Sequence, residues 1–202
     1  MAKTVEFIFD FGSPNAYLAY YGLQPVLERT GAELVITPCL LGGIFKSSGN
    51  QPPMMNFAGV AGKNEMFMRE IERYCDRHNL SKFRMNPNFP VNTLMMMRAA
   101  VAYSRDNDLR PYIEAGIKCM WEDGRKMDDP GVFVEAFNDA GLDGQGLLEA
   151  TQDPEVKAQL MANTQGAVDR GAFGIPAFMV GDEQFFGKDH IEELEWWLLN
   201  RC

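Results

Sequence analysis

Two short segments carry residue types that can do chemistry, and each sits at the end of a strand. In Phe9-Asp10-Phe11-Gly12-Ser13-Pro14 a β-rich run hands over to a helix. Ser is a preferred N-cap and Pro is favoured at the first helical position, so Ser13 marks the helix N-terminus. Free N–H groups and the positive end of the helix dipole favour an anion there, a thiolate included, and the Ser13 hydroxyl adds a donor. In Gly174-Ile175-Pro176 a proline enters a strand, which suits a turn or a cis bond. A cis-proline leaves the backbone of the preceding residue facing outward, able to pair with an extended peptide as an added strand. Each segment also has a plain structural reading. Ser-Pro opens many helices that carry no chemistry, and a strand-start proline can simply shape the chain.

Metal and redox chemistry are poorly provided for. The chain has two His, His78 and His190, and four Cys, Cys39, Cys75, Cys119 and Cys202, all far apart. There is no C-x-x-C and no Cys/His cluster, which excludes zinc-ribbon and dithiol motifs and argues against a disulfide scaffold. Scattered thiols fit a reducing compartment. The net charge of -9 argues against a nucleic-acid binder, although a few local cations suffice for a small anionic ligand. Glu6 and Asp10 interrupt any secretory apolar run at the N-terminus. The longest apolar stretch, Leu34 to Phe45, contains Pro38 and Gly42-Gly43 and is too short to span a bilayer. A soluble cytoplasmic protein without membrane contact is expected.

The elements that must position the two segments follow from periodicity. A length of 202 residues, 46% hydrophobic, suits one domain or one domain carrying an insertion. Val5 to Phe9 reads as a buried strand, Ser13-Pro14 opens a helix with Tyr17, Leu18 and Tyr21 on its face, and Leu34-Val35-Ile36 is a second strand. Pro25 should kink or restart that helix near Gln24, and Gly31 ends it. Residues 42–62, rich in Gly, Pro, Asn and Ser, read as an ordered loop. About five helices follow, starting with the stripe Phe67, Ile71, Tyr74, Cys75 and His78. Further starts lie at Asn92-Thr93, near Tyr112, at Asp129-Pro130 and at Asp153-Pro154. Ala177 to Val180 and Gln184 to Phe186 flank a Gly181-Asp182 turn, and a last helix carries Ile191, Leu194, Trp197 and Leu198. The order is βαβ, helices, then ββα. This predicts an α/β chain with a thioredoxin-like fold, residues 1–41 and 170–202, split by an all-helical domain, residues 42–169.

Phe-Asp-x-x-Ser-Pro with Tyr-Leu after it, and Gly-Ile-Pro before a hairpin ending Phe-Phe-Gly-Lys-Asp, resemble the 2-hydroxychromene-2-carboxylate isomerases. They are similar also to the kappa-class glutathione transferases, which share that fold. Leu40 to Lys46, Gly49-Asn50, Lys63 and Asn88 to Leu94 extend the likeness over almost the whole chain. Redox members of the fold carry Cys-Pro-x-Cys where this chain has Ser13-Pro14-Asn15-Ala16, so dithiol exchange cannot run here and the thiol must come from outside.

The resemblance implies glutathione as cofactor and a homodimer. It implies that glutathione pairs with Ile175 before Pro176 and points its thiol at catalytic Ser13. Asp189 would take the γ-glutamyl ammonium, with Lys188 and the helix N-terminus near the carboxylate, and Asn50 and Lys63 would contact the tripeptide. The expected substrate is a small aromatic oxo-carboxylate, with Lys46 ahead of Arg84 as the cation for its carboxylate. Phe11, Phe45, Phe57 and Phe67 are candidates for an aryl wall. Phe67 stands where related sequences often have Tyr, and His190 where they often have Arg. Two other readings stay open: a glutathione transferase that conjugates electrophiles, and a non-catalytic thioredoxin-like module that binds a peptide along the same strand edge.

Overall fold

A computed structural model describes residues 3–57 and 59–202. Strand β1 (Thr4–Phe9) is the centre of a four-stranded sheet ordered β2-β1-β3-β4. Its β-branched and aromatic residues bury Val5, Phe7, Ile8 and Phe9 completely, as a central strand requires. β2 (Glu33–Pro38) runs parallel to it, with Phe7 beside Ile36. β3 (Ala177–Val180) runs antiparallel on the other side, Phe7 beside Phe178, and β4 (Glu183–Phe186) closes a hairpin through Gly181. Gly181 has φ +60°, the left-handed conformation such a tight turn demands. The thioredoxin-like order of strands expected from the sequence is therefore present, and the helices of residues 41–169 are drawn from the chain between its halves.

Helix α1 (Pro14–Thr30) connects β1 to β2 and ends at Gly31 in the left-handed conformation. Pro25 lies inside it, and the helix runs through without restarting. The restart is absent: α1 buries Ala16 to Tyr20, Gly22, Leu23 and Val26, and this packing outweighs one missing backbone hydrogen bond. The loop expected over 42–62 is also corrected. It contains α2 (Leu41–Ser48) and a short turn of helix, α3 (Pro53–Asn56). Gly43 belongs to helix packing rather than to a loop. A Cβ there would stand 2.9 Å from the Thr164 methyl group, so glycine lets α2 lie close on α9 (Pro154–Asp169).

Between these elements run α4 (Lys63–His78), α5 (Leu94–Tyr103), α6 (Arg110–Trp121), α7 (Pro130–Asp139) and α8 (Gly144–Ala150). The last of these was not expected from periodicity. Its start is set by the Asp143 side chain, which accepts from the Gly146 N–H. A 3₁₀ turn at Lys188–His190 leads into α10 (Ile191–Asn200). An aromatic chain joins sheet and helices: Phe178 on Phe7, Phe7 on Phe9, Phe9 on Phe11, Phe11 on Tyr112, Tyr112 on Phe137. Each such ring buried contributes about 1.5–3 kcal/mol. Among the described residues no helix is long and apolar enough to cross a membrane.

Candidate active site

The end of β1 is fixed from three directions. Asp10 is buried, and its two carboxylate oxygens accept from the backbone N–H of Gly12 at 2.9 Å and of Leu41 at 2.7 Å. The first bond shapes the strand-to-helix turn and the second docks the start of α2. Thr93 is a further hydrogen-bond partner. Burial nevertheless raises the Asp10 carboxyl above the usual carboxylate range. From the helical side, Trp121 Nε1 donates to the Phe11 carbonyl at 3.0 Å.

Ser13 follows this turn as the N-cap of α1, extended in backbone and 5% exposed. Its hydroxyl does not cap its own helix. It donates to the Ile175 carbonyl at 2.9 Å, and the Ile175–Pro176 peptide is cis. The two segments singled out in the sequence, 162 residues apart, are thus hydrogen-bonded to one another.

Two other segments close on the same loop. Asn50, just beyond α2, donates from Nδ2 to the Phe173 carbonyl at 2.8 Å. The Gly187 N–H, beyond β4, donates to the Pro176 carbonyl at 2.9 Å and so sets the 3₁₀ turn beside the proline. Carbonyls at 173, 175 and 176 therefore gather Asn50, Ser13 and the Lys188-Asp189 turn into one region. Among the described residues no hydrogen bond engages the Ile175 N–H, which leaves it able to donate to an added strand.

The cations fall out differently. Lys188 is 5% exposed, its Nζ 2.5 Å from Asp189 Oδ1 and 5.2 Å from the centroid of the Tyr74 ring. It stands in the turn that leads into α10, near the helix N-terminus as expected, and its buried stem aims the ammonium at Asp189, whose side chain stays 69% exposed. Gly22 makes room for this arrangement, because a Cβ there would lie 1.9 Å from the Tyr74 hydroxyl. Lys63, the first residue of α4, stands over the Phe57 ring at 4.5 Å. Lys46 is exposed on α2 and unpaired among the described residues. Arg84 is turned onto the carbonyls of Ser81 and Phe83 in its own loop.

The aromatic wall needs one correction. Phe11 is wholly buried between Phe9 and Tyr112, and its ring fills the space that a Cβ on Gly116 would need, at 2.4 Å. It is core and cannot touch a ligand. Phe45 is half-buried and approaches Gly174 beside the proline loop. Phe57 and Phe67 meet edge to face.

One residue at the site escaped the sequence reading. Asn15, in the first turn of α1, has its Oδ1 buried without a hydrogen-bond partner among the described residues. Its position two residues after Ser13 was the only available signal. Three of the chain's four thiols are unsuited to chemistry here. Burial pushes Cys39 up to about 12 and raises Cys75 and Cys119.

Residues 4–198 match the DSBA-like thioredoxin domain family. The chain is 29% identical over 202 residues to the 2-hydroxychromene-2-carboxylate isomerase of Sphingobium xenophagum, covering 99% of this chain and 100% of that protein. It is 27% identical over 208 residues to glutathione S-transferase kappa 1 of Homo sapiens, covering 96% and 90%. Among solved structures, a 2-hydroxychromene-2-carboxylate isomerase superposes with a TM-score of 0.84 at 21% identity, covering 98% of this chain and 96% of that one. The cytosolic disulfide reductase DsbM from Pseudomonas aeruginosa, solved with GSH, gives a TM-score of 0.60 at 16% identity over 97% and 96% of the two chains. At these identities the superpositions establish the fold.

Proposed function

The chain belongs to the family of DSBA-like thioredoxin domains, and on that premise we propose that it is a glutathione-dependent isomerase. The reaction proposed is the interconversion of 2-hydroxychromene-2-carboxylate and trans-o-hydroxybenzylidenepyruvate. The observation that carries this reading is the hydrogen bond from Ser13 to Ile175. It puts a hydroxyl and a helix N-terminus at the cis-proline edge of a fold whose first turn, Ser13-Pro14-Asn15-Ala16, holds no sulfur. The names of the similar proteins, an isomerase and a glutathione transferase, agree with it.

The residues present fit the tripeptide. The unengaged Ile175 N–H offers a strand-type donor, and the Ile175 carbonyl has a second lone pair beside the one used by Ser13. Asp189 presents an exposed carboxylate to the γ-glutamyl ammonium, and Lys188 steadies it through one oxygen. Asn50 and Lys63 lie on the adjoining segment for the remaining polar groups. Glutathione held by these residues would supply a thiolate nucleophile for reversible conjugate addition to a 2-oxo-3-enoate.

The protein's own part is electrostatic. The α1 N-terminus favours the thiolate over the thiol, and its first turn carries no acidic side chain to oppose this. The Ser13 hydroxyl, now held by Ile175, turns to donate to the sulfur. Lys46, exposed on α2, is the proposed partner of the substrate carboxylate, and Phe45, half-buried near Gly174, is the proposed neighbour of the aryl ring in place of the buried Phe11.

A kappa-like transferase, which conjugates electrophiles, would use the same thiolate site, and the identity to a kappa transferase favours it as the second reading. The deciding experiment follows equilibration of the chromene with the open-chain enone by absorbance, with and without glutathione. The isomerase reading expects a glutathione-dependent rate that falls roughly 10²-fold in Ser13→Ala. A rate independent of glutathione overturns thiol addition. Conjugation of generic electrophiles without isomerisation establishes the transferase. Absence of any thermal shift with glutathione points to the peptide-binding module instead.

A further inference from the structure

Helix α2 begins on Leu40, whose side chain cannot cap it. Its first residues are held from outside instead. Asn163 Nδ2 donates to the Pro38 carbonyl at 3.1 Å, and the Cys39 N–H donates to the Phe9 carbonyl at 3.0 Å. The Leu40 N–H donates to Thr164 Oγ1 at 2.9 Å, and the Leu41 N–H to Asp10 Oδ2 at 2.7 Å.

The last of these ties differs from the rest. Asn163 and Thr164 join the start of α2 to α9. Asp10 joins it to the Ser13 turn, because the other oxygen of the same carboxylate accepts from the Gly12 N–H at 2.9 Å. Thr93, at the start of α5, is a third donor. Three donors converging on one buried group suit an ionised carboxylate better than an acid or an amide, each of which brings a donor of its own. The carboxylate is planar, so the Gly12 and Leu41 N–H groups cannot drift apart while both are bound to it.

We propose that Asp10 is a positioning residue that sets the distance between the Ser13 turn and α2, and through it the distance between a thiolate at Ser13 and a substrate carboxylate at Lys46. The coupling of the two segments does not depend on what the site binds; its consequence for turnover rests on the isomerase reading. Helix α2 carries Phe45 and Lys46 and leads to Asn50, so a shift at its start moves the acceptor side of the site against the sulfur side. A misplacement of about 1 Å between reacting groups can cost roughly 10²-fold in rate.

The test uses the full chain as wild type, Asp10→Asn and Thr164→Val, each below its unfolding midpoint. In Asp10→Asn one amide oxygen must serve where two carboxylate oxygens did, and the amide NH2 opposes a donor. Amide hydrogen exchange is expected to quicken about tenfold both at Gly12-Ser13 and at Leu41, whereas Thr164→Val quickens it at Leu40 and leaves Gly12-Ser13 unchanged. Quickening confined to one of the two segments in Asp10→Asn overturns the coupling. In glutathione-dependent isomerisation, Asp10→Asn should lower kcat roughly 10–100-fold while the Kd for glutathione stays within about threefold. Combined with Lys46→Ala it should cost less in kcat/KM than the product of the two single losses, because both act through one contact. A strictly multiplicative double variant is the result for a merely structural carboxylate and overturns positioning. Should Asp10→Asn fold poorly, Thr93→Val, which removes only the third donor, is expected to give the same paired quickening at about threefold, and unchanged exchange at both segments overturns the coupling. If the paired changes appear but wild type shows no glutathione-dependent isomerisation, the coupling stands and the proposed function falls.

Discussion

The proline loop with the α1 N-terminus, and the segment from Asn50 to Lys63, border the same region but are built in opposite ways. In the first, Asp10, Phe11, Ser13 and Ile175 are all buried, and side-chain bonds from Asp10, Ser13 and Trp121 link it to distant backbone. In the second, Met54, Met55 and Val60 are each about half exposed, and an exposed Asn50–Phe173 bond and a cation–π contact at Lys63 are its chief polar ties. Under the proposed function the contrast separates two tasks. Groups that must meet a reacting atom within fractions of an ångström gain from being held by buried bonds. Groups that grip the ends of a flexible tripeptide, or accommodate a variable aryl group, gain from polarizable, adaptable side chains such as methionine.

The contrast breaks first at Asp10. Asp10→Ala leaves the Gly12 and Leu41 N–H groups without acceptors and should cost about 2–5 kcal/mol by denaturant unfolding. Ionisation there carries its own signature. Burial raises the folded carboxyl above its ordinary 3.8, so between 3.8 and the raised value the folded protein holds the proton more firmly than the unfolded chain does. This contribution to stability is full below that window and is lost as pH rises through it. Asp10→Asn should flatten that part of the profile.

Gly22 tests the rigid side at its far end. Gly22→Ala drives a methyl group into the Tyr74 hydroxyl and should cost about 1–3 kcal/mol, seen as a lower unfolding midpoint. By displacing the ring that covers Lys188 it should also raise the KM for glutathione.

On the open segment the order of effects reverses. Asn50→Ala and Lys63→Ala should leave the unfolding midpoint within about 0.5 kcal/mol of wild type. Each should raise the KM for glutathione roughly 3–10-fold with little change in kcat, as loss of uniform binding does. A fall in kcat of the size expected for Ser13→Ala would erase the distinction between the two regions. The smallest effect belongs outside both. Breaking the exposed Arg29–Glu195 pair with Glu195→Gln should change stability by about 0.2–1 kcal/mol and leave turnover untouched.

The strands and the start of α1 were legible because their signals are local. Val5 to Phe9 is a run of β-formers, Ser13-Pro14 is a helix start, and Gly181 is a turn residue. Helix α2 was hidden because Gly42-Gly43 reads as loop until α9 is seen to press against Gly43. The restart expected at Pro25 did not occur because the burial that overrides it comes from other elements. Within the site, Ser13, Ile175, Pro176 and Asn50 came together as expected. Phe11 did not take the position expected of it, since whether an aromatic ring faces ligand or core depends on its neighbours across the fold. Asn15 carried no signal beyond standing two residues after Ser13.

What the chain alone determined is the chemistry it lacks and the places where elements begin. No cysteine stands at the first turn of α1, and residue identity and helix-start signals are properties of adjacent residues. What the tertiary structure decided is which polar groups are already engaged. The Ser13 hydroxyl is held by a carbonyl 162 residues away, Lys188 is turned onto its neighbour Asp189, and Asn15 Oδ1 is buried with no partner among the described residues. Hydrogen bonding and desolvation act through space, and a buried donor or acceptor is satisfied or stranded only by what the fold brings beside it.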